Sequence, residues 1–331
     1  MIISKWNCIS KGLRSSYKAN YTFRVAVILS YFEGKMYINE QIESILNQSL
    51  EDIFLSIYIS DDNSQKDLFD INNLNLDNLI NAEIFYRKLN TNVGFAENFL
   101  SSLISIEENY DFYAFSDQDD IWLKNKIAKA INVISKLDNN IPGLYCGRTI
   151  ISDNISKKDN VISKEFKKAP SFENALVQNI AGGNTMLFNK SGKEILVKFS
   201  ENINIVAHDW WTYLIISGVG GYVHYDKLPY VKYRQHQNNL IGSNKGFLAK
   251  FKRILALFNN SLKIWNDLHI LALQKNKNLL SIKSQKTLHY FIKVKEKNII
   301  KKNFFFYLSN IHRQTFFGNL GLFIALVFNK L

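Results

Sequence analysis

The sequence predicts an α/β protein: a mainly parallel sheet flanked by helices and followed by a basic helical extension. Short apolar, β-branched runs alternate with segments whose apolar residues recur at helical spacing, the pattern of βαβ units with right-handed crossovers. Two of those runs end in clustered aspartates, Asp61/Asp62 and Asp117/Asp119/Asp120. Ligands of open α/β sheets sit there, beyond the carboxyl ends of the strands. The charge is also one-sided. Residues 241–331 hold 16 Lys+Arg against 2 Asp+Glu, whereas residues 1–240 hold 25 against 27.

Each element has its own signal. RVAVILSYF (24–32) is rich in apolar and β-branched residues and reads as a buried strand. YINEQIESILNQS follows, with Ile38, Ile42, Ile45 and Leu46 on one helical face. FLSIYIS (54–60) is a second strand and AEIFYRKL (82–89) a third. Phe95, Phe99, Leu103 and Ile106 then recur at helical intervals, DFYAFS (111–116) is a fourth strand, and Ile127, Ile131 and Ile134 mark the next helix. From residue 143 the pattern is less regular. GLYCGRTIIS reads as a strand, Gly182-Gly183 as a turn between apolar runs, AHDWWTYLIISG as a helix, and GYVHYDKLPYVKYRQH as one or two strands. Lys-rich helical sequence closes the chain.

A chain of 331 residues with 47% hydrophobic content can bury a substantial core. Cys8 and Cys146 are far apart and outside metal-ligand spacing, so they suggest neither a disulfide framework nor a zinc site and point to a reducing compartment. The opening MIISKWNCISKGLR lacks the apolar core of a secretory signal, and no apolar run reaches the ~18 residues of a membrane span. The expectation is a cytoplasmic protein, peripheral at the inner face of the cytoplasmic membrane. A tail with net charge +14 seeks an anionic partner, and residues 245–331 suit an anionic membrane surface.

Three carboxylates within four residues at a strand end repel one another unless a cation, donors or solvent compensate. Magnesium takes only one or two protein carboxylates and completes its shell with water and phosphate oxygens; manganese prefers the same ligands. A D-x-D pair without nearby histidines therefore suggests a metal–diphosphate site, although bare D-x-D also arises in exposed turns.

VAVILSYFEGKMYINEQIESILNQS, IYISDDNS, NTNVGFAENF and FSDQDDIWLKNKI occur in the order and spacing of the family 2 glycosyltransferases of GT-A fold, and the chain resembles their bacterial rhamnosyltransferase branch. The resemblance implies a Rossmann-like, mixed, mainly parallel sheet over residues 22–240. An N-terminal extension (1–21) precedes it and a basic amphipathic helical region (241–331) follows. It also implies an inverting, divalent-metal-dependent (Mg or Mn) transfer of a sugar from a nucleotide-diphosphate donor to a saccharide or lipid-linked acceptor in surface polysaccharide (O-antigen or capsule) synthesis. The rhamnosyltransferase likeness points to dTDP-rhamnose.

Carried onto this chain, the resemblance implies that Asp62 bonds the donor's base, with Ser30 and Tyr31 beside it and Asp61 a neighbour. Gly94 would allow close backbone approach and Asn98 would offer an amide to the nucleotide; separately they also suit a turn glycine and a helix-surface residue. Asp117 would face the ribose and Asp119 ligate the metal, while Asp120 orients the site or caps the next helix. Glu33 departs from the family's usual first loop. His236 would be a further metal ligand and Arg234 a phosphate contact.

Inverting displacement needs one general base. The resemblance places it at Asp209 of AHDWW, with His208 as the rival; a helix N-cap at Asp209 is compatible with that role. On the acceptor side it implies Trp122 and Trp210, His208 beside the base, and Gly182 and Gly183, whose missing side chains would leave room for a sugar next to Asn184. A tryptophan between strand and helix also suits a core position. A nucleic-acid-binding protein using the basic tail, a metal-dependent nucleotidyltransferase and a glycoside hydrolase are the alternatives. The acidic, site-like core argues against nucleic acid as the partner.

Overall fold

The computed structural model describes residues 5–13, 16, 20–67, 69, 70, 72, 74, 76, 79–153, 161–200, 203–235, 261–294 and 298–331. In chain order the elements are β1 (Asn7–Lys11), β2 (Phe23–Tyr31), α1 (Ile38–Leu46), β3 (Ile53–Asp61), β4 (Ala82–Lys88), α2 (Phe95–Ser105), β5 (Phe112–Ser116), β6 (Ile121–Trp122) and α3 (Lys126–Ile134). Then come β7 (Gly143–Gly147), β8 (Ile150–Asp153), β9 (Val161–Ile162), α4 (Phe172–Ala175), β10 (Leu187–Asn189), α5 (Lys190–Phe199), α6 (His208–Gly218), β11 (Tyr222–Asp226) and β12 (Val231–Gln235). Helices α7 (Ser261–Lys275), α8 (Ile282–Lys293), α9 (Ile299–Ser309) and α10 (Phe316–Val327) complete the chain.

Among the described residues eight strands form one sheet in the order β1-β4-β3-β2-β5-β10-β7-β11. β4, β3, β2 and β5 run parallel, while β10 enters antiparallel to both β5 and β7. The sheet is thus mixed and mainly parallel, as expected. β1, within the residues expected to form an N-terminal extension, adds an antiparallel edge to β4. Gly147 ends β7 and β8 begins three residues later in a second, four-stranded sheet, β6-β12-β8-β9, so GLYCGRTIIS makes two strands.

The alternation along β2 divides the core. Val25, Val27 and Leu29 point to one face and pack with Ile42 and Ile45 of α1 and Ile127 and Ile131 of α3. Ala26 and Ile28 point to the other, shared with Phe99 and Leu103 of α2 and Trp211 and Leu214 of α6. Both faces are covered, which is why these strands read as continuous apolar runs. Each fully buried side chain of this kind contributes roughly 1.5–3 kcal/mol. Leu273, Leu288, Phe291, Leu322 and Leu326 of the C-terminal helices join that second face.

Candidate active site

Two loops meet at the carboxyl ends of β2 and β3. Asp62 is buried, and its carboxylate accepts from the amides of Val93 (2.7 Å) and Gly94 (2.9 Å), while its own amide donates to the Tyr31 carbonyl. Burial raises its pKa. Asp62 therefore shapes the loop that opens α2. Gly94 has φ +83°, and a Cβ there would meet nothing within 4 Å, so the glycine answers to its dihedral and the space beside it is open. Asn98 is fully buried; its amide donates to Ser30 Oγ and the Ser60 carbonyl, and its oxygen accepts from Ser60 Oγ. The expected amide contact to the nucleotide gives way to a clamp between strand ends.

Tyr31 is likewise corrected. Its ring is buried against Phe69, and its hydroxyl donates to the Asp67 carbonyl. Asp61 also turns inward, accepting from the Ser64 amide and the Tyr86 hydroxyl. Glu33, the departure from the family pattern, holds φ +47° and aims its carboxylate at three successive amides, those of Gln65, Lys66 and Asp67. Such a nest favours the anion, and these bonds lower the Glu33 pKa.

The Asp117–Asp120 segment leaves β5 and is fastened from several sides. Gln118 bonds both the amide and the carbonyl of Phe32, tying the β2–α1 loop to the acidic segment. Asp120 is fully buried and accepts from Asn184 Nδ2 and the Arg234 amide. Lys126 lies behind it, 1% exposed, with Nζ 3.6 Å from the Trp122 ring centroid. Burial pulls the lysine down to about 7, and the Asp120 charge opposes that fall. Desolvation raises Asp117 well above the usual carboxylate range, and repulsion from Asp120, Asp119 and Asp209 adds to it. Asp209, 89 residues beyond Asp120, thus shares the field of the acidic cluster.

Asp209 sits in the first turn of α6, whose N-cap is Ala207, so it is not the cap. Its carboxylate accepts from the Trp210 amide (2.6 Å), the Gly183 amide (3.3 Å) and the Asn179 side chain. Burial nevertheless holds its pKa up to about 6. An acid poised there is ionised at neutral pH yet basic enough to take a proton. His208 is corrected: it is 4% exposed, stacked 3.9 Å from Phe99 and edge-on to Phe95 and Phe115. Burial lowers it to about 3, which keeps it neutral at pH 7 and makes it a weaker base than Asp209.

That packing requires a glycine at 183. A Cβ there would lie 2.5 Å from His208 Nε2 and 3.3 Å from Asp209 Cβ. At Gly182 the nearest atom would be Asn184 Oδ1, at 3.1 Å. Trp122 is 3% exposed on β6 and Trp210 is 7% exposed, donating to the Ala175 carbonyl beside Trp265 and His269. Both belong to the interior, because their neighbours close over rings that the sequence alone leaves unassigned. The Arg234 guanidinium pairs with Glu40 and stacks on Tyr37, so it faces α1 where a phosphate contact was expected. His236 lies outside the described residues.

Among the described residues no three His, Cys, Asp or Glu side chains converge as a ready-made metal cage. The donor set nonetheless fits a hard divalent ion. Carboxylate oxygens are offered, and the Asp117 carboxyl is held up first by desolvation and then by the like charge of its neighbours. Missed by sequence reasoning were Gln118, Lys126, Gln41 and the Asn184–Asp120 bond. Gln41, at a helical position among isoleucines, donates to Ser116 Oγ and was the one detectable signal.

Residues 25–196 match the profile described as Glycosyl transferase family 2. The dTDP-rhamnosyl transferase RfbG of Shigella flexneri is 32% identical over 238 residues, spanning 68% of this chain and 78% of that protein. An uncharacterized glycosyltransferase of Rickettsia typhi is 26% identical over 251 residues, 73% of each chain. Among solved structures, S. aureus TarS in complex with UDP-GlcNAc is 15% identical with a TM-score of 0.48, covering 86% of this chain and 89% of that one.

Proposed function

Since the chain belongs to glycosyl transferase family 2, we propose that it transfers a sugar with inversion from a nucleoside-diphosphate donor, dTDP-rhamnose by its likeness to RfbG, to a saccharide or lipid-linked saccharide acceptor in surface polysaccharide synthesis. One observation carries this reading: Asp209, poised at about 6, stands within the field of the Asp117/Asp119/Asp120 cluster. The proposed leaving-group end and base end are thereby within electrostatic reach of one another.

The chain's own residues divide the work. Asp209 accepts the proton of the acceptor hydroxyl as that oxygen attacks the anomeric carbon and the bond to the nucleoside diphosphate breaks. The Gly183 and Trp210 amides orient its carboxylate. Asp119 would hold a magnesium or manganese ion, which when bound would supply positive charge to the diphosphate, with Asp117 beside it toward the ribose. Asp120 serves the site from behind, joining Asn184 and Arg234 to the acidic segment, with Lys126 within reach of its charge. Asp62 and Gly94 form the loop at the nucleotide end, and Glu33 holds the loop opposite.

A panel of nucleotide sugars offered with Mg²⁺ or Mn²⁺, with and without chelator, tests the proposal. One donor should release nucleoside diphosphate only with metal present. Metal-independent glycoside cleavage, or release of pyrophosphate, would replace the reading with a hydrolase or a nucleotidyltransferase.

A further inference from the structure

The C-terminal helices carry an apolar surface that their lysines do not account for. α10 is capped by Thr315 Oγ, which accepts from the Gly318 amide, and buries Leu322, Ala325 and Leu326 against the core. Its opposite side stays apolar. Phe316 and Phe317 are 78% and 79% exposed, and Leu320, Phe323, Val327 and Phe328 are exposed beside them. On α9, Ile300, Phe304 and Tyr307 recur at i, i+4 and i+7, all exposed, and the Phe306 and Phe323 rings, 6.5 Å apart, join the two helices. Contiguous apolar patches of this kind on soluble proteins mark interaction surfaces.

The chemistry selects the partner. α10 has 12 residues, and no helix among the described residues is long and apolar enough to cross a membrane. An apolar ridge beside basic residues instead suits a helix lying in the plane of a lipid interface. Residues 261–294 and 298–331 contain ten Lys or Arg and one acid, Asp267. Residues 298–331, which hold the ridge, carry Lys301, Arg313 and Lys330 outside the core and no acid, so an anionic bilayer attracts this region and takes up the phenylalanines.

The turn beside the ridge is also fastened to the segment that leads to Asp209. In the turn between α9 and α10, the Gln314 amide donates to Gln178 Oε1 (2.8 Å), and the His312 carbonyl accepts from Asn174 Nδ2 (2.9 Å). Asn174 belongs to α4, and the chain runs on through Gln178 to Asn179 and Gly183, the donors to Asp209. We propose that α9 and α10 lie in the interfacial plane of an anionic bilayer, and that this docking brings the Asp209 side of the cleft to a membrane-anchored acceptor. The acceptor half rests on the function proposed above; the docking half does not.

The test uses the full chain and sedimentation with vesicles of phosphatidylcholine, with or without phosphatidylglycerol. Binding should require the anionic lipid and weaken with salt. The triple variant Phe316→Ser, Phe317→Ser, Phe323→Ser should lower partitioning by about tenfold or more, since each aromatic brings buried apolar area. Its circular dichroism and its transfer to a water-soluble acceptor should remain unchanged. Lys286→Gln with Lys301→Gln should flatten the salt dependence. Equal vesicle binding by the triple variant would overturn the proposal. So would a wild-type dimer by light scattering that the variant dissolves while vesicle binding is absent, because the ridge would then be a self-association face. Transfer that is no faster on a vesicle-borne acceptor than on a soluble one would overturn the acceptor half. Absence of any transfer by the wild-type chain, with docking intact, would refute the enzymatic function and the acceptor half built on it while leaving the docking half standing.

Discussion

Replacing Asp209 by Asn separates catalysis from folding. Without a base the transfer rate should fall by roughly 10²–10⁴, with donor binding kept, because Asn keeps the size of the side chain and removes only its charge. The wild-type rate should decline on the acid side with an apparent pKa near 6, since a carboxyl raised from 3.8 to about 6 is protonated as pH falls through that value. An unshifted aspartate would stay active to pH 5. Stability should move the opposite way. A carboxyl whose folded pKa is raised contributes its full stability below the unfolded value and loses it as pH rises through about 6. That shift of about two pH units corresponds to at most ~3 kcal/mol, and partial exposure of Asp209 reduces it. Asp209→Asn should therefore melt higher than wild type at pH 7.5, with the gain vanishing near pH 4. Transfer rates from pH 4.5 to 8, donor titrations and thermal melts check all three. A wild-type profile flat to pH 5, or equal loss of donor binding and transfer in the variant, would refute the assignment of the base.

Asp119→Asn should abolish metal-dependent donor binding and most transfer while leaving the melting temperature close to wild type; calorimetric titration of donor with Mn²⁺ reads the first and a melt the second. Gly183→Ala places a Cβ 2.5 Å from His208 Nε2, inside a cage of three phenylalanines. It should cost ~1–3 kcal/mol in urea unfolding and slow transfer more than it weakens donor binding. Glu33→Ala leaves the amides of Gln65, Lys66 and Asp67 without their carboxylate, so hydrogen exchange at those three should speed up and the donor KM should rise.

Much of the sheet was legible because its central strands are buried on both faces. β2, β3 and β5 are therefore runs of apolar and β-branched residues, and α1, α2 and α3 carry apolar residues at helical spacing. β10 has three residues and β6 two, too short for any period, and each exists only because a distant partner supplies its hydrogen bonds. Tyr31, Trp122 and Trp210 could serve a ligand or a core equally well on sequence, since an aromatic ring offers both. Neighbours from other elements decided for the core.

The sequence by itself determined the family pattern, the strand ends at which acid collects, and the contrast between an acidic cleft and a basic tail. Those are local properties: residue type, spacing and charge. The tertiary structure decided which groups share a field. Asp209 joins Asp117 only because α6 packs its first turn beside β5, and His208 loses its claim as base only because Phe95, Phe99 and Phe115 exclude water from it. Desolvation and Coulomb repulsion depend on distance through space, and that distance is set by packing between segments far apart in the chain.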